Sequence, residues 1–497
     1  MTSKHWALVG GAVACLAAHS APSQAAPWIE SGDPRARHAV QKLADRGHLD
    51  RPVSDWPVTW SAVHNGIDNT TLAADASATA SQRAYLAFEK DQLAANGFRG
   101  EVSISGTTEE TVIRGFGNHQ PADGSISADL QWQGQSWALG LSPTLVINPE
   151  DDEEYRADGS YLAATAGNWV FGAGAIDRWW GPGWQSSLIL SDNARPLPAV
   201  WVNRKDTSAP ESDWLSWIGP WQFTLIAGQF TDERVVDNAK LVGMRFSLRP
   251  LTGLEIGLSR AFMFGGKDRP ENASTLWDMF IGRDNSQNGS ENDPGNQLGA
   301  IDIRYGFGLG DQSMGVYTQM MGEDEAGVFP ARKSWLFGLD WTTQLASQDQ
   351  QWFVEYTNTL ADDILGDARP NLTYDHFRYQ TGYQHHGRVM GASFDGDASA
   401  VTLGVFHFMD NGDNLSIKLT HAELNKDGGN RSTSIEPDVF SYVPDGDQTV
   451  AIADLGYGTR LFQGWLDLNL QLTDNKLRLL SGEQNRWSLG ATWRYRF

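Results

Sequence analysis

The chain of 497 residues carries a formal net charge of −23, a mean hydropathy of −0.40, 52 glycines and 21 tryptophans. Such an acidic balance excludes a nucleic-acid surface, because phosphate contacts need clustered lysine and arginine. Beyond residue 26 no run reaches the roughly 18 uncharged apolar residues of a membrane helix, so any bilayer crossing must be made by strands closed into a barrel.

Lys4 and His5 precede an apolar run from Trp6 to Ala18, and Ser23-Gln24-Ala25-Ala26 offers a small-residue cleavage site. Residues 1–25 therefore read as a secretory signal peptide. Cys15 lies inside that run and is the one cysteine, so the exported chain is expected to hold no disulfide. Residues 26–97 read as a small helical bundle at the periplasmic mouth. Asp33 caps a helix with Pro34 in its first turn, and Gly47 ends it. Ala36, Ala39, Val40, Leu43 and Ala44 form its apolar stripe. Asp55 to Trp60 is a turn with two anchoring indoles, Trp56 and Trp60. Ser81 is placed as the cap of a second helix carrying Tyr85, Leu86, Phe88 and Leu93, ended by Gly97.

From residue 98 to 497 the pattern is strands. Candidates are 111–118, 125–134, 136–147, 159–166, 169–177, 221–229, 240–248, 253–262 and 298–306. They continue at 313–321, 334–343, 351–358, 373–381, 399–408, 414–423, 448–457, 464–473 and 486–497. The expectation is an all-β transmembrane barrel of about 18 antiparallel strands, within an even-numbered range of roughly 16–20. Segment 101–106 is left out, because counting it breaks the alternation of short and long connections. Gln133-Gly134-Gln135 and Ala166-Gly167-Asn168 are tight, whereas 148–158 is long and acidic. Periplasmic turns are short and outer loops long. Strand 136–147 therefore runs outwards, 159–166 back and 169–177 outwards, and the segment from Arg178 starts at the extracellular end.

That segment is the most distinctive in the chain: Asp177-Arg178-Trp179-Trp180-Gly181-Pro182-Gly183-Trp184, then Gln185 to Pro196 with Asp192, Asn193 and Arg195. Proline lacks the ladder donor, and Trp179 and Trp180 point to opposite sides, so this is a shaped loop with aromatic anchors and not a lipid-facing strand. At the C-terminus, Trp487, Leu489, Ala491, Trp493, Tyr495 and Phe497 share one face. Arg486, Ser488, Gly490, Thr492, Arg494 and Arg496 share the other. A greasy face that becomes aromatic towards a terminal Phe resembles the closing strand of a bacterial outer-membrane barrel. The arginines are expected to face the lumen, since a one-residue slip would place them in lipid.

The Arg178–Trp184 run with Ser187-Leu188-Ile189-Leu190-Ser191-Asp192-Asn193-Ala194-Arg195-Pro196 resembles the hallmark block of the Wzi-type capsule assembly family. Trp352–Thr359, Tyr379–Tyr383, Gly387–Gly391, Asp395–Ala398 and Pro27–Arg35 fit it as well. The resemblance implies an 18-stranded barrel in the outer membrane of a Gram-negative bacterium, with a helical bundle at its periplasmic mouth. It also implies a lectin-like role, attaching or organising capsular polysaccharide or looser exopolysaccharide at the cell surface. Expected partners are that polymer, outer-membrane lipids and lipopolysaccharide; a monomer is expected.

Asp177, Arg178, Trp179, Trp180, Trp184, Asp192, Asn193 and Arg195 are the candidate ligand residues. Sugar rings stack on indole while Arg, Asp and Asn bond hydroxyls or carboxylates. The same residues also serve to pin the loop inside the barrel, and both readings stand at this stage. No Gly-x-Ser-x-Gly elbow and no His-Glu-x-x-His occur, so no enzyme is expected. The acid runs Glu150–Glu154, Glu323–Glu325 and Asp362–Asp363 read as solvated loops without EF-hand spacing. His385-His386 is an adjacent pair that faces opposite ways if extended, so neither a metal nor a cofactor is expected. A porin-like channel for small solutes is the alternative, since a barrel of this size is wide enough for water.

Overall fold

The computed structural model describes residues 28–63, 78–94, 97–117, 119, 123–272, 274, 277, 295–323, 332–362, 368–429 and 441–497. The expected signal peptide lies outside them. Eighteen antiparallel strands close into one barrel. In chain order they are β1 (Phe98–Thr107), β2 (Gly124–Gln133) and β3, which is broken at Ser142-Pro143 into Trp137–Leu141 and Thr144–Ile147. Next come β4 (Tyr161–Ala166), β5 (Trp169–Gly174), β6 (Ala199–Arg204), β7 (Trp221–Gln229), β8 (Lys240–Leu251) and β9 (Leu254–Phe264). Then follow β10 (Gly295–Leu309), β11 (Gln312–Glu323), β12 (Lys333–Leu345), β13 (Gln348–Asp362) and β14 (Ser399–Phe408). Last are β15 (Asn414–Leu424), β16 (Gln448–Leu461), β17 (Gly464–Thr473) and β18 (Trp487–Arg496).

Two segments expected as strands are not, and two strands went unread. Of the segment expected at 111–118, the described residues 111–117 are a loop whose Val112, Ile113 and Phe116 are all buried, so their apolar character serves a loop core and not one face of a strand. Residues 373–381 likewise fold as turns around the buried Tyr374 and Tyr379. Segment 101–106, set aside for its parity, lies within β1; with 111–118 removed from the strands, the alternation of short and long connections is restored. The short β6 hides behind Pro196 and Pro198.

Outward positions face lipid. Trp487, Leu489 and Phe497 are 50%, 48% and 59% exposed, whereas Arg494 pairs with Asp467 and Arg496 with Glu101 on the inner side. At the periplasmic end the outward aromatics form a girdle, with Trp341 stacked on Trp352 and Trp493 on Tyr495. The seam closes where β18 pairs with β1, Arg496 opposite Glu101 through to Gly490 opposite Thr107. Phe497 continues the ladder, donating to and accepting from Gly100 at 2.9 and 3.1 Å. Its ring lies over Gly100 so closely that a Cβ there would fall 2.5 Å from it.

The barrel is occupied from within. In α1 (Pro34–Asp45) Asp33 accepts from the backbone of Arg35 and Ala36, and Pro34 opens the helix. Its apolar stripe packs on Trp56, Val58, Val63 and Leu86. Its polar face is buried too, because the inner wall of a membrane barrel is polar. Lys42 meets Asp349 at 2.8 Å, Gln41 meets Asp340 at 2.7 Å, and the Asp45 carboxylate takes a fork from Arg304. In α2 (Ala80–Ala94) Ser81 is not a cap; its hydroxyl donates to Asp349 at 2.7 Å. Tyr85 instead donates to the capping Asp33, tying α2 to α1.

Candidate functional site

The loop after β5 turns back into the lumen. Trp179 and Trp180 form a two-residue antiparallel ladder with Trp56 and Asp55 of the N-terminal segment. This joins an extracellular loop to the unit entering from the other end. Gly181 adopts φ +154°, and at Gly183 a Cβ would fall 2.2 Å from the Ser186 carbonyl oxygen, so Gly-Pro-Gly makes a bend other residues would strain.

Three side chains hold that bend. The Glu355 carboxylate, pointing inward from β13, accepts the backbone N–H groups of Trp184, Gln185 and Ser186 and the hydroxyl of Tyr317. Gln319 of β11 accepts from the Leu188 N–H at 2.7 Å and donates to the Trp180 carbonyl at 2.9 Å. Arg37 of α1 donates to the Pro182 and Gly183 carbonyls, each at 2.8 Å. Its guanidinium lies 4.3 Å from the Trp184 ring centroid and 4.5 Å from that of Phe116. Cation–π contact in a desolvated site adds to the hold. Arg37 is drawn down to about 10, first by burial, which the charges of Tyr317 and Glu355 oppose.

Six of the eight candidate residues are buried: Arg178, Trp179, Trp180, Trp184, Asp192 and Asn193. The three indoles are each 1% exposed, so no ring face is open for a sugar to stack on. Arg178 lies over the Trp201 ring at 5.0 Å and is lowered to about 10 by burial, which Asp55 and Asp177 oppose. Burial likewise raises Asp192 to about 7, against a hydrogen bond from Ser31. The Asn193 amide donates to the Val389 carbonyl at 2.8 Å. Asp177 stays exposed, in luminal space that also exposes Glu30. Arg195 sits nearer the outside, bonded to Asp151, Glu153 and Asp158 at 2.7 to 2.8 Å.

Above the loop the extracellular connections knit into a cap. Glu110 accepts from Arg114, Arg388 and Tyr442, each at 2.8 Å, and so links three connections distant in sequence. Val112, Ile113, Phe394, Tyr442, Leu477 and Leu479 share one apolar cluster beneath. His385 is buried, bonded to the Arg195 carbonyl at 2.9 Å, and among the described residues no His, Cys, Asp and Glu cluster has the makings of a metal site. Sequence reasoning missed Glu355, Gln319, Arg37 and Glu110. The available signal was parity: Glu355 occupies an inward position on a strand whose neighbours are aromatic, where a lone carboxylate needs a partner.

The family model of the capsule assembly protein Wzi matches residues 93–488. This chain belongs to that family. An uncharacterized 55.8 kDa Klebsiella pneumoniae protein from a cps region is 31% identical over 332 residues. That match covers 65% of this chain and 64% of the relative, less than two thirds of its length. Among solved structures, Escherichia coli Wzi is an outer membrane protein involved in group 1 capsule assembly and a carbohydrate-binding β-barrel. It is 26% identical, with a TM-score of 0.81, over 95% of this chain and 100% of that one. Our chain is thus an outer-membrane barrel of a Gram-negative bacterium, as its strand pattern and closing Phe led us to expect.

Proposed function

We propose that this Wzi family member holds an exported polysaccharide at the outer surface and organises it there without chemical turnover. The carrying observation is the lumen. The chain's own N-terminal segment and the 175–198 loop occupy it and meet at the Trp179–Trp56 ladder, beneath a cap of extracellular connections. Such a barrel offers polymer a shaped outer face in place of a conduit. Membership of the family and likeness to a carbohydrate-binding barrel support the same reading. It takes residues 1–25 as a leader, 26–97 as the periplasmic unit that plugs the lumen, and the monomer as the working form.

In this reading Arg178, Trp179, Trp180, Trp184, Asp192 and Asn193 act from beneath, fixing the shape of the cap. Arg195, within the carboxylate group of Asp151, Glu153 and Asp158, is nearest the polymer, while Asp177 faces the luminal space. The test is a glycan-binding assay on the purified, folded protein with polymer isolated from the parent cells, alongside a deletion strain. The protein should retain the polymer unaltered in length, and the deletion strain should make it but shed more into the medium. Cells that keep their surface polymer and lose uptake of a small solute would replace this reading with the porin. Shortened polymer after incubation would mean an enzyme.

A further inference from the structure

The lipid-facing wall is recessed on β16. On β16 the outward Ala453 is paired with Leu419 of β15 on one side and Leu472 of β17 on the other. The next outward position, Ala451, is opposite His421. Ala453 between its two leucines and Ala451 beside His421 leave a groove of about 530 Å³, reaching Val401 and Leu403 of β14, with Asp474 at its rim. That volume is in the ~300–1,000 Å³ range of small-ligand sites. The groove lies near Ser399, Leu424, Gln448 and Thr473, the extracellular ends of the four strands. At that height on the outer wall the molecules within reach are lipids of the outer leaflet.

Charge points the same way. The β17–β18 connection leaves the groove at Asp474, and in it Lys476, Arg478 and Arg486 outnumber Asp474 and Glu483. Every other extracellular connection is neutral or acidic in sequence. All three cations are exposed. Lys476 pairs with Glu483 at 3.1 Å, but both side chains are more than half exposed, and such a pair is held weakly enough for a stronger anion to displace it. Moving an acyl chain from lipid into the groove gains no hydrophobic free energy, so selectivity has to come from fit and from the headgroup.

We propose that this groove and the basic connection beside it bind a phosphorylated, acylated outer-leaflet lipid, lipopolysaccharide. One acyl chain lies over Ala451 and Ala453, and a phosphate meets Lys476, Arg478 and Arg486. The site is independent of the polymer reading and would seat the barrel against the leaflet. Each basic residue at a membrane surface is worth about fivefold in affinity, so the three together exceed tenfold.

Native mass spectrometry of the folded, full-length protein tests it, with bis-phosphorylated lipid A, dephosphorylated lipid A and phosphatidylethanolamine as probes. Lipid A should bind one per barrel, about tenfold or more tighter than the dephosphorylated lipid. Lys476→Gln with Arg478→Gln and Arg486→Gln should abolish that preference. Ala451→Leu with Ala453→Leu should weaken both forms of lipid A. Equal affinity of the wild-type protein for the two forms would overturn the proposal, as would undiminished lipid A binding in the filled-groove variant. Heat-modifiable mobility reports folding; should a variant not fold, the wild-type comparison decides alone.

Discussion

Glu355 brings a carboxylate into the lumen, and its partners are mostly main-chain. The N–H groups of Trp184, Gln185 and Ser186 converge on it, with the Tyr317 hydroxyl as a fourth donor. Buried donors left unpaired cost about 1–3 kcal/mol each. Glu355→Ala should therefore loosen the 175–198 loop by several such units while the strand ladder stays intact. Limited proteolysis should then cut between 181 and 190, where the wild-type protein resists; equal resistance with a folded barrel would remove Glu355 from this role. Asp192 gives a pH dependence. Burial raises it to about 7, so the folded loop favours the neutral acid. Its contribution is complete below the ordinary carboxylate range, near 4, and is lost as pH rises through 7. Loop protection should fall between about pH 4 and 8 and level off above that, and Asp192→Asn, which keeps the neutral shape, should hold protection level across that range. A pH profile unchanged by the substitution would assign the effect to another group.

At the scale of elements, β1 and β18 show what alternation delivers and what it omits. The outward and inward faces of β18 were readable from residues 486–497, because period two is a local property. Its partner was not: Gly100 adjoins segment 101–106, which was set aside because counting it broke the alternation of short and long connections, and its role appears only when Phe497 is seen above it. The same limit covers the lumen. The aromatic block at 177–184 was legible as a loop with anchors, but the anchors' partners Glu355, Gln319 and Arg37 lie more than 130 residues away or before the barrel begins. Loop cores at 111–117 and 373–381 imitated strands because burial on all sides uses the same residue types as burial on one. The seam is testable. Gly100→Ala should place a methyl 2.5 Å from the Phe497 ring and lower the yield of heat-modifiable barrel, as should removal of Phe497. Gly106→Ala, where the nearest atom is 3.5 Å away, is the matched control and should fold normally. Equal yields from Gly100→Ala and Gly106→Ala would mean the ring–glycine contact does not guide closure.

For the whole molecule the decisive property is what passes through it. An 18-stranded barrel without contents encloses a channel wide enough for water and small solutes. Here α1 spans from Asp45 at Arg304 to Arg37 at Pro182, and the ladder at Trp56 carries the obstruction on to the extracellular loop. The obstruction is uneven. Inward residues on its side, such as Arg245, Gln319 and Glu355, are buried, whereas Ser416, Lys418, Asp454 and Asn469 on the opposite wall remain half-exposed. Water therefore reaches part of the lumen, under a cap closed by the Val112–Tyr442–Leu477 cluster. Planar-bilayer recordings should show a conductance far below that of an open barrel of equal strand number. Arg37→Ala removes two hydrogen bonds to the 182–183 bend and its stacking on Trp184 and Phe116, so it should raise opening events without preventing assembly. The same substitution should release polymer from cells, because a loosened bend no longer supports the cap from below. A wild-type protein that conducts like an open porin, or an Arg37→Ala strain that gains conductance and keeps its polymer, would separate the plug from the retention of polysaccharide.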